Sequence, residues 1–169
     1  DAVDFAYHFG LVSGVEETKF APNSPMTRAQ LVTVLYRAAG SPEVTVTTNF
    51  EDLDVGAYYY NAVVWGNVMG VVNGTSDTTF SPNAYVTREQ LATILYRYAQ
   101  EKQYDVSGHN DLSAFADAAR VSAYAKEAMQ WAVDAGLISG IGDNLVPQNG
   151  ANRAQVATML MRFAENVNQ

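Results

Sequence analysis

The chain repeats itself, and that constrains its fold more than any other property. Shifted by 60 residues, Gly10, Gly14, Phe20, Pro22, Thr27, Arg28, Gln30, Leu31, Leu35 and Arg37 fall on Gly70, Gly74, Phe80, Pro82, Thr87, Arg88, Gln90, Leu91, Leu95 and Arg97. A third copy carries Gly136, Gly140, Pro147, Arg153, Gln155, Leu160 and Arg162, and Phe50-Glu51-Asp52 recurs as Phe115-Ala116-Asp117. Periods of this kind mark one supersecondary unit used several times. The expected units are residues 1–40, 50–101 and 115–169. Segments 41–49 and 102–114 are linkers, and Val44-Thr45-Val46-Thr47 alternates as a short extended stretch would. The Phe matching Phe50 falls before Asp1, so the first unit is expected to lack its start. With Asp1 and Asp4 unlike a signal peptide, the chain reads as a processed or excised piece of something longer.

Each unit reads as helix, loop, helix. First helices are predicted at Tyr58 to Val68 and Ala123 to Ala135, closed by Gly70 and Gly136 in the left-handed conformation. The second helices announce themselves. In Met26-Thr27-Arg28-Ala29-Gln30-Leu31, Thr27 is an N-cap, Gln30 completes a capping box, and Met26 and Leu31 form a hydrophobic staple. Val86 to Leu91 and Ala151 to Val156 repeat the pattern, with Thr87 and Asn152 as caps. Apolar stripes follow at helical spacing: Leu31, Val34, Leu35, Ala38; Leu91, Ile94, Leu95, Tyr98; Val156, Met159, Leu160, Phe163. A lone helix pair cannot bury such a stripe, so the units must share a core. The predicted fold class is an all-α bundle with approximate threefold internal symmetry, one compact module.

Charge and composition exclude several functions. Eighteen acids against ten bases leave −8, which disfavours double-stranded nucleic acid as a partner. No apolar run approaches the ~20 residues of a membrane helix, so membrane insertion is not expected. Zero cysteines remove thiolate nucleophiles, disulfides and Cys-ligated zinc. His8 and His109 lie in different units without metal-ligand spacing, the calcium-loop pattern is not met, and no cofactor is expected.

The arginines are unevenly placed. Six of seven occupy two repeated positions: Arg28, Arg88 and Arg153 at the start of the second helices, then Arg37, Arg97 and Arg162 late in them. A late cation suits the helix dipole, whereas one at the first position costs about 0.3–1 kcal/mol. Something other than helix stability therefore favours the first set. In one reading each Arg is tied to a neighbouring unit, for instance to Asp52 or Asp117, or lies over an aromatic ring. In the other, guanidinium and free helix amides converge on an anion. Both can hold together.

Phe-x-Asp, a Trp-bearing helix, Gly-x-x-x-Gly, a Phe-x-Pro loop and Thr-Arg-x-Gln, in that order and in three copies, resemble S-layer homology repeats. The resemblance covers nearly the whole chain. It implies a three-pronged, pseudo-threefold module that holds exported proteins to cell-wall polysaccharide, commonly a secondary polymer ending in pyruvylated N-acetylmannosamine. It implies a ligand in grooves between adjacent repeats and an extracellular location at the cell wall or S-layer. A cargo domain of the same parent polypeptide is the other implied partner. The family's Thr-Arg-Ala-Glu motif falls on Thr27 to Gln30, Thr87 to Gln90 and Asn152 to Gln155, so Thr27, Arg28, Gln30, Thr87, Arg88, Gln90 and Arg153 are expected at the ligand, with Asp52, Asp117, Trp65 and Trp131 counted beside them. The pyruvyl carboxylate is the kind of anion such an Arg suits. Gln replaces the family's Glu in all three copies, which keeps the cap and removes a negative charge. The third copy departs most, with Asn152 for Thr and Leu145 for Phe, and predicts the weaker groove.

Trp65 and Trp131 fit the core, with an edge facing a groove as the alternative, and Tyr58 to Tyr60 divide likewise between packing and sugar stacking. Asp52 with Asp54, or Asp111 with Asp117, offers a glycosidase pair only in the sense that any acidic chain does, and an enzyme is the least expected class. The rival readings are a protein–protein module of degenerate repeats and a binder of amine-modified peptidoglycan, whose grooves acidic residues would line.

Overall fold

The computed structural model describes residues 21–167. Among these it forms five α-helices: α1 Arg28–Ala38, α2 Tyr60–Val68, α3 Arg88–Glu101, α4 Lys126–Asp134 and α5 Arg153–Asn166. Short 3-10 turns at Ala118–Arg120 and Ala123–Ala125 lead into α4. The described residues are all-α, as the periodicity predicts; Val44 to Thr47 is irregular rather than a strand. The first helices start later than expected. Tyr59 and Ala125 precede α2 and α4 without a side-chain cap, and Ala123–Ala125 winds as a 3-10 turn. The expectations placed on His8, Gly10, Gly14 and Phe20 lie outside the described residues.

The second helices begin where their sequence says. Thr27 Oγ1 accepts from Gln30 N at 3.2 Å while Gln30 Oε1 accepts from Thr27 N at 2.9 Å, and the same reciprocal pairs form at Thr87–Gln90 and Asn152–Gln155. Gly70 and Gly136 close α2 and α4 at φ +70° and +71°, a conformation that costs any residue with a Cβ. The stripes are buried apart from Ala38, which is exposed at the end of α1.

Packing crosses the repeat boundaries. Helix α1, from the first unit, lies on α2 of the second, and α3 of the second lies on α4 of the third. The segments before the three capping boxes meet in a closed cycle: Met26 N donates to Ala151 O, Ala151 N to Val86 O, and Val86 N to Met26 O. One core serves all the units. Ring contacts of 5.4–6.3 Å run through it from Tyr36 to Trp65, Tyr98, Phe163, Trp131 and Tyr96. Both tryptophans are therefore core residues, and Trp65 also edges a cavity of about 410 Å³ beside the 42–46 linker.

Candidate functional site: the inter-repeat grooves

The repeated motifs converge on one loop in each unit. Phe50 packs its ring 5.6 Å from Phe80, and Asp52 accepts from Phe80 N at 2.8 Å and Ser81 N at 2.7 Å. Gly74 lies so close beneath that a Cβ there would meet Thr79 O and the Phe50 ring, both at 2.6 Å. In the third unit Asp117 grips Leu145 N and Val146 N at 2.7 and 2.8 Å, with Gly140 against Phe115. The gripped residues Ser81 and Val146 sit at φ +60° and +43°. That is strained for a β-branched valine. The carboxylates offered as a catalytic pair thus hold turns: Asp54 accepts from Gly56 N, and Asp111 from Ser113 N and Oγ.

These turns aim carbonyls at arginines of the preceding unit. Arg28 donates through Nε to Phe80 O at 3.0 Å and through Nη2 to Asn73 O at 2.8 Å, with its guanidinium 4.6 Å from the Phe80 ring centroid. Arg88 repeats this with Leu145 O at 2.9 Å and Ser139 O at 2.9 Å, but meets Leu145 where Arg28 meets an aromatic ring. Arg28, Arg88 and Arg153 are each only 5% exposed. Burial pulls all three guanidinium pKa values below the ordinary one, opposed at Arg28 by Tyr124 and Asp52 and at Arg88 by Asp117. Among the described residues no ion pair joins Arg28 to Asp52 or Arg88 to Asp117.

The amides of the helix starts are not open to a ligand, contrary to expectation. Arg28 N and Ala29 N donate to Ala84 O and Pro82 O; Arg88 N and Glu89 N to Asn149 O and Pro147 O; Arg153 N and Ala154 N to Ser24 O and Pro22 O. Each helix start is sealed by the loop of an adjacent unit.

Beside the junctions at Arg28 and Arg88 lie two grooves. The first, about 370 Å³, is bounded by Arg28, the 73–75 loop, Tyr124 and one face of α3 carrying Gln90, Thr93, Ile94 and Arg97. The second, about 250 Å³, is bounded by Arg88, residues 137–139 and the matching face of α5, with Gln155, Thr158, Met159 and Arg162. Asn152 also borders it, whereas Thr87 serves its cap and Trp131 lies in the core. Gln30 and Arg37 occupy the matching face of α1, beside Tyr58. Partial burial and Tyr59 raise the Tyr58 hydroxyl pKa, while Arg37 and a hydrogen bond to Thr27 lower it. The 10–20 segment that would complete a groove there lies outside the described residues.

Sequence reasoning missed part of this wall. Arg97 and Arg162 are not in the last turn of their helices, which run on to Glu101 and Asn166. They face the grooves, and with the Asn73 side-chain amide oriented so that its nitrogen donates to Val72 O at 3.2 Å, its oxygen accepts from both terminal nitrogens of Arg97 at 3.2 and 3.3 Å. Thr93 and Thr158 went unremarked, although Gln90, Thr93, Ile94 and Arg97 follow the i, i+3, i+4, i+7 spacing of one helix face. Tyr124 did carry a signal: it stands seven residues before Trp131, as Tyr58 stands seven before Trp65.

The order of motifs, the loops they build and the junctions between units are those of a known module. The S-layer homology domain model matches residues 1–32, 50–92 and 114–157. The chain belongs to the S-layer homology domain family. Its relatives include the surface-layer 125 kDa protein of Lysinibacillus sphaericus, 32% identical over 99% of this chain and 14% of that protein. An amylopullulanase of Thermoanaerobacterium thermosulfurigenes is 26% identical over 98% of the chain and 9% of its own length. The cellulosome-anchoring protein of Acetivibrio thermocellus is 23% identical over 94% of the chain and 36% of its length. The chain thus spans a small part of the curated relatives it matches. This S-layer homology module is a cell-surface anchoring domain, located at the cell wall or S-layer. No helix among its described residues is long and apolar enough to cross a membrane, and no cluster of His, Asp or Glu among them is placed to hold a metal ion.

Proposed function

We propose that the module is noncatalytic and binds an acidic secondary cell-wall polysaccharide, with a pyruvylated sugar as the unit recognised. One observation carries this reading. Each described groove is bordered by two arginines and by no carboxylate, in a chain whose formal charge is −8. A binder of amine-bearing wall material would have the opposite lining. In this reading Arg97 and Arg162 meet the carboxylate, Arg28 and Arg88 close the groove from behind, and Gln90 and Gln155 donate. The Gln90 and Gln155 side-chain oxygens are occupied by Thr87 N and Asn152 N, so each offers its Nε2 hydrogens. Arg153, Thr27 and Gln30 belong to a third groove of the same kind. Thr87, Asp52 and Asp117 act by fixing the walls, and Trp65 and Trp131 by fixing the core beneath. The closed cycle through Met26, Ala151 and Val86 supports a pseudo-threefold arrangement of units 1–40, 50–101 and 115–169 as one compact module. Cargo joined to the same polypeptide would be held at the wall.

The test is a matched pair of methyl glycosides of N-acetylmannosamine, with and without the pyruvyl ketal, titrated calorimetrically beside cosedimentation with walls before and after removal of the secondary polymer. The pyruvylated sugar should bind and its partner should not. Recognition at a local site in an acidic protein should weaken only modestly with salt. Equal binding of both sugars, or undiminished sedimentation with stripped walls, would remove the reading.

A further inference from the structure

The grooves are not equivalent, and one residue sets the first apart. The position after the helix-starting arginine holds Ala29 in α1 and Ala154 in α5 but Glu89 in α3. Glu89 is 4% exposed, and its oxygens are fully occupied. Oε2 accepts from Ser122 N at 3.0 Å, and Oε1 accepts from Ser122 Oγ at 2.7 Å and from the Tyr124 hydroxyl at 3.1 Å. Ser122 is the residue before the turn that carries Tyr124. Glu89 therefore ties the start of α3 to the far rim of the first groove.

The direction of the last hydrogen bond matters. A carboxylate only accepts, so Tyr124 spends its single proton on Glu89 and keeps acceptor lone pairs alone for the groove. On the α3 wall opposite, Arg97 and the Gln90 amide donate, Arg28 donates from behind, and Thr93 gives its proton to Glu89 O at 2.7 Å, so Tyr124 is the acceptor on the far rim. We propose that Glu89 is a positioning residue that makes Tyr124 an obligate acceptor, so that the first groove takes its sugar in one orientation. The anionic group lies toward Arg97, and a sugar hydroxyl or N-acetyl N–H donates to Tyr124. The second groove keeps the matching acceptor Thr158 on α5, but with Ala154 in place of Glu89 it has no such device for a far-rim acceptor and is the less selective. This rests on the acidic-glycan reading above and adds the orientation and the residue that imposes it.

The experiment uses the whole chain and pyruvylated N-acetylmannosamine methyl glycoside, followed by NMR. Resonances of Gln90 and Thr93 report the first groove, and those of Gln155 and Thr158 the second. Glu89→Gln preserves shape but lets its amide donate to Tyr124, turning the phenol proton toward the groove. Glu89→Gln and Tyr124→Phe should each weaken the first groove about threefold to tenfold, the range of one neutral hydrogen bond. The double variant should lose no more than either single one, and the second groove should not change. Spectroscopic titration without sugar gives the readout that a merely structural role would not move. Partial burial, then the Glu89 charge and its hydrogen bond, push Tyr124 up to about 12 against Arg28 and Arg97, and Glu89→Gln should bring it back toward 10. Additive losses, equal losses in both grooves or an unmoved Tyr124 titration would overturn the inference while leaving the acidic-glycan reading standing. Failure of the parent to bind the sugar in either groove would overturn both.

Discussion

Asp117 and Arg88 hold the two ends of one residue without touching each other. Asp117 accepts from the Leu145 amide at 2.7 Å, and Arg88 Nε donates to the Leu145 carbonyl at 2.9 Å. Asp52 and Arg28 do the same to Phe80, at 2.8 and 3.0 Å. In each case the acid comes from the same unit as the loop and the Arg from the unit before it. The carboxylate holds a turn that its own backbone disfavours, and the turn presents the carbonyl that the buried guanidinium requires. Groove geometry is thereby coupled to junction stability.

Removing Asp117 should expose that coupling. The side chain is buried and receives two amide hydrogen bonds at a strained turn. Bonds to a charged acceptor contribute about 1.5–3 kcal/mol each, and part of this is recovered when water reaches the freed amides. Asp117→Ala should therefore cost about 2–4 kcal/mol in urea unfolding, and Asp52→Ala less because Asp52 is exposed. An Asp117→Ala protein within 0.5 kcal/mol of the parent, a margin typical of neutral surface changes, would refute the role.

Two tyrosines set the alkaline limit. Burial first, then Tyr104 and Glu101, push Tyr98 up to about 12, and Tyr124 reaches about 12 through burial and Glu89. Unfolded phenols titrate near 10. The fold therefore binds more protons than the unfolded chain between these values. Its stability from these groups is complete below pH 10 and is lost as pH rises through 12. Circular dichroism and phenolate absorbance followed from pH 9 to 12.5 should show unfolding coincide with ionisation of these tyrosines. Full ionisation at pH 11 in a folded protein would contradict this.

What was legible in the sequence was what depends on neighbours in the chain. The capping boxes at Thr27, Thr87 and Asn152 are i, i+3 arrangements, and all three helices start there. The stripes from Leu91 and Val156 are equally local and are buried. The partners of Arg28 and Arg88 are carbonyl oxygens 45 to 57 positions away, and a carbonyl has no residue identity to read. The same sealing carbonyls remove the helix amides from the site. Arg97 was readable in principle, since it shares a helix face with Gln90, but its late position also satisfied the dipole. Glu89 stands in the first turn of its helix, where an acid suits the dipole; its contact with Ser122 and Tyr124, 33 and 35 residues on, gives it a role that Ala29 and Ala154 cannot have.

The cycle of Met26, Ala151 and Val86 makes the module cooperative. Each amide is paired with a different unit, so none can open without disturbing the other two. Native-state hydrogen exchange should give these three amides one common protection, equal to the free energy of global unfolding. If the Met26 amide exchanged a hundredfold faster than those of Val86 and Ala151, the units would be opening separately and the single-module reading would fail.

The two sets of arginines should separate in a mutational comparison. Arg88 is buried and gives Nε and Nη2 to backbone carbonyls of the third unit, so Arg88→Ala leaves the buried Leu145 carbonyl unpaired, while the exposed Ser139 can turn to water. An unsatisfied buried group costs about 1–3 kcal/mol, and the loss should appear in unfolding curves. Arg97 is half-buried, faces the first groove and pairs only with the Asn73 side chain in the contacts described. Arg97→Ala should leave stability within about 1 kcal/mol of the parent, since its partner can turn to water. It should also weaken pyruvylated-sugar binding at the first groove by at least tenfold, because a charge-assisted bond of about 1.5–3 kcal/mol is lost. Arg97→Lys should recover only part of this, because the ammonium keeps the charge and loses the planar fork that engages Asn73 and a carboxylate together. An Arg97→Ala variant that binds like the parent, while Arg88→Ala folds normally and does not bind, would move the anion contact back to the helix-starting arginines.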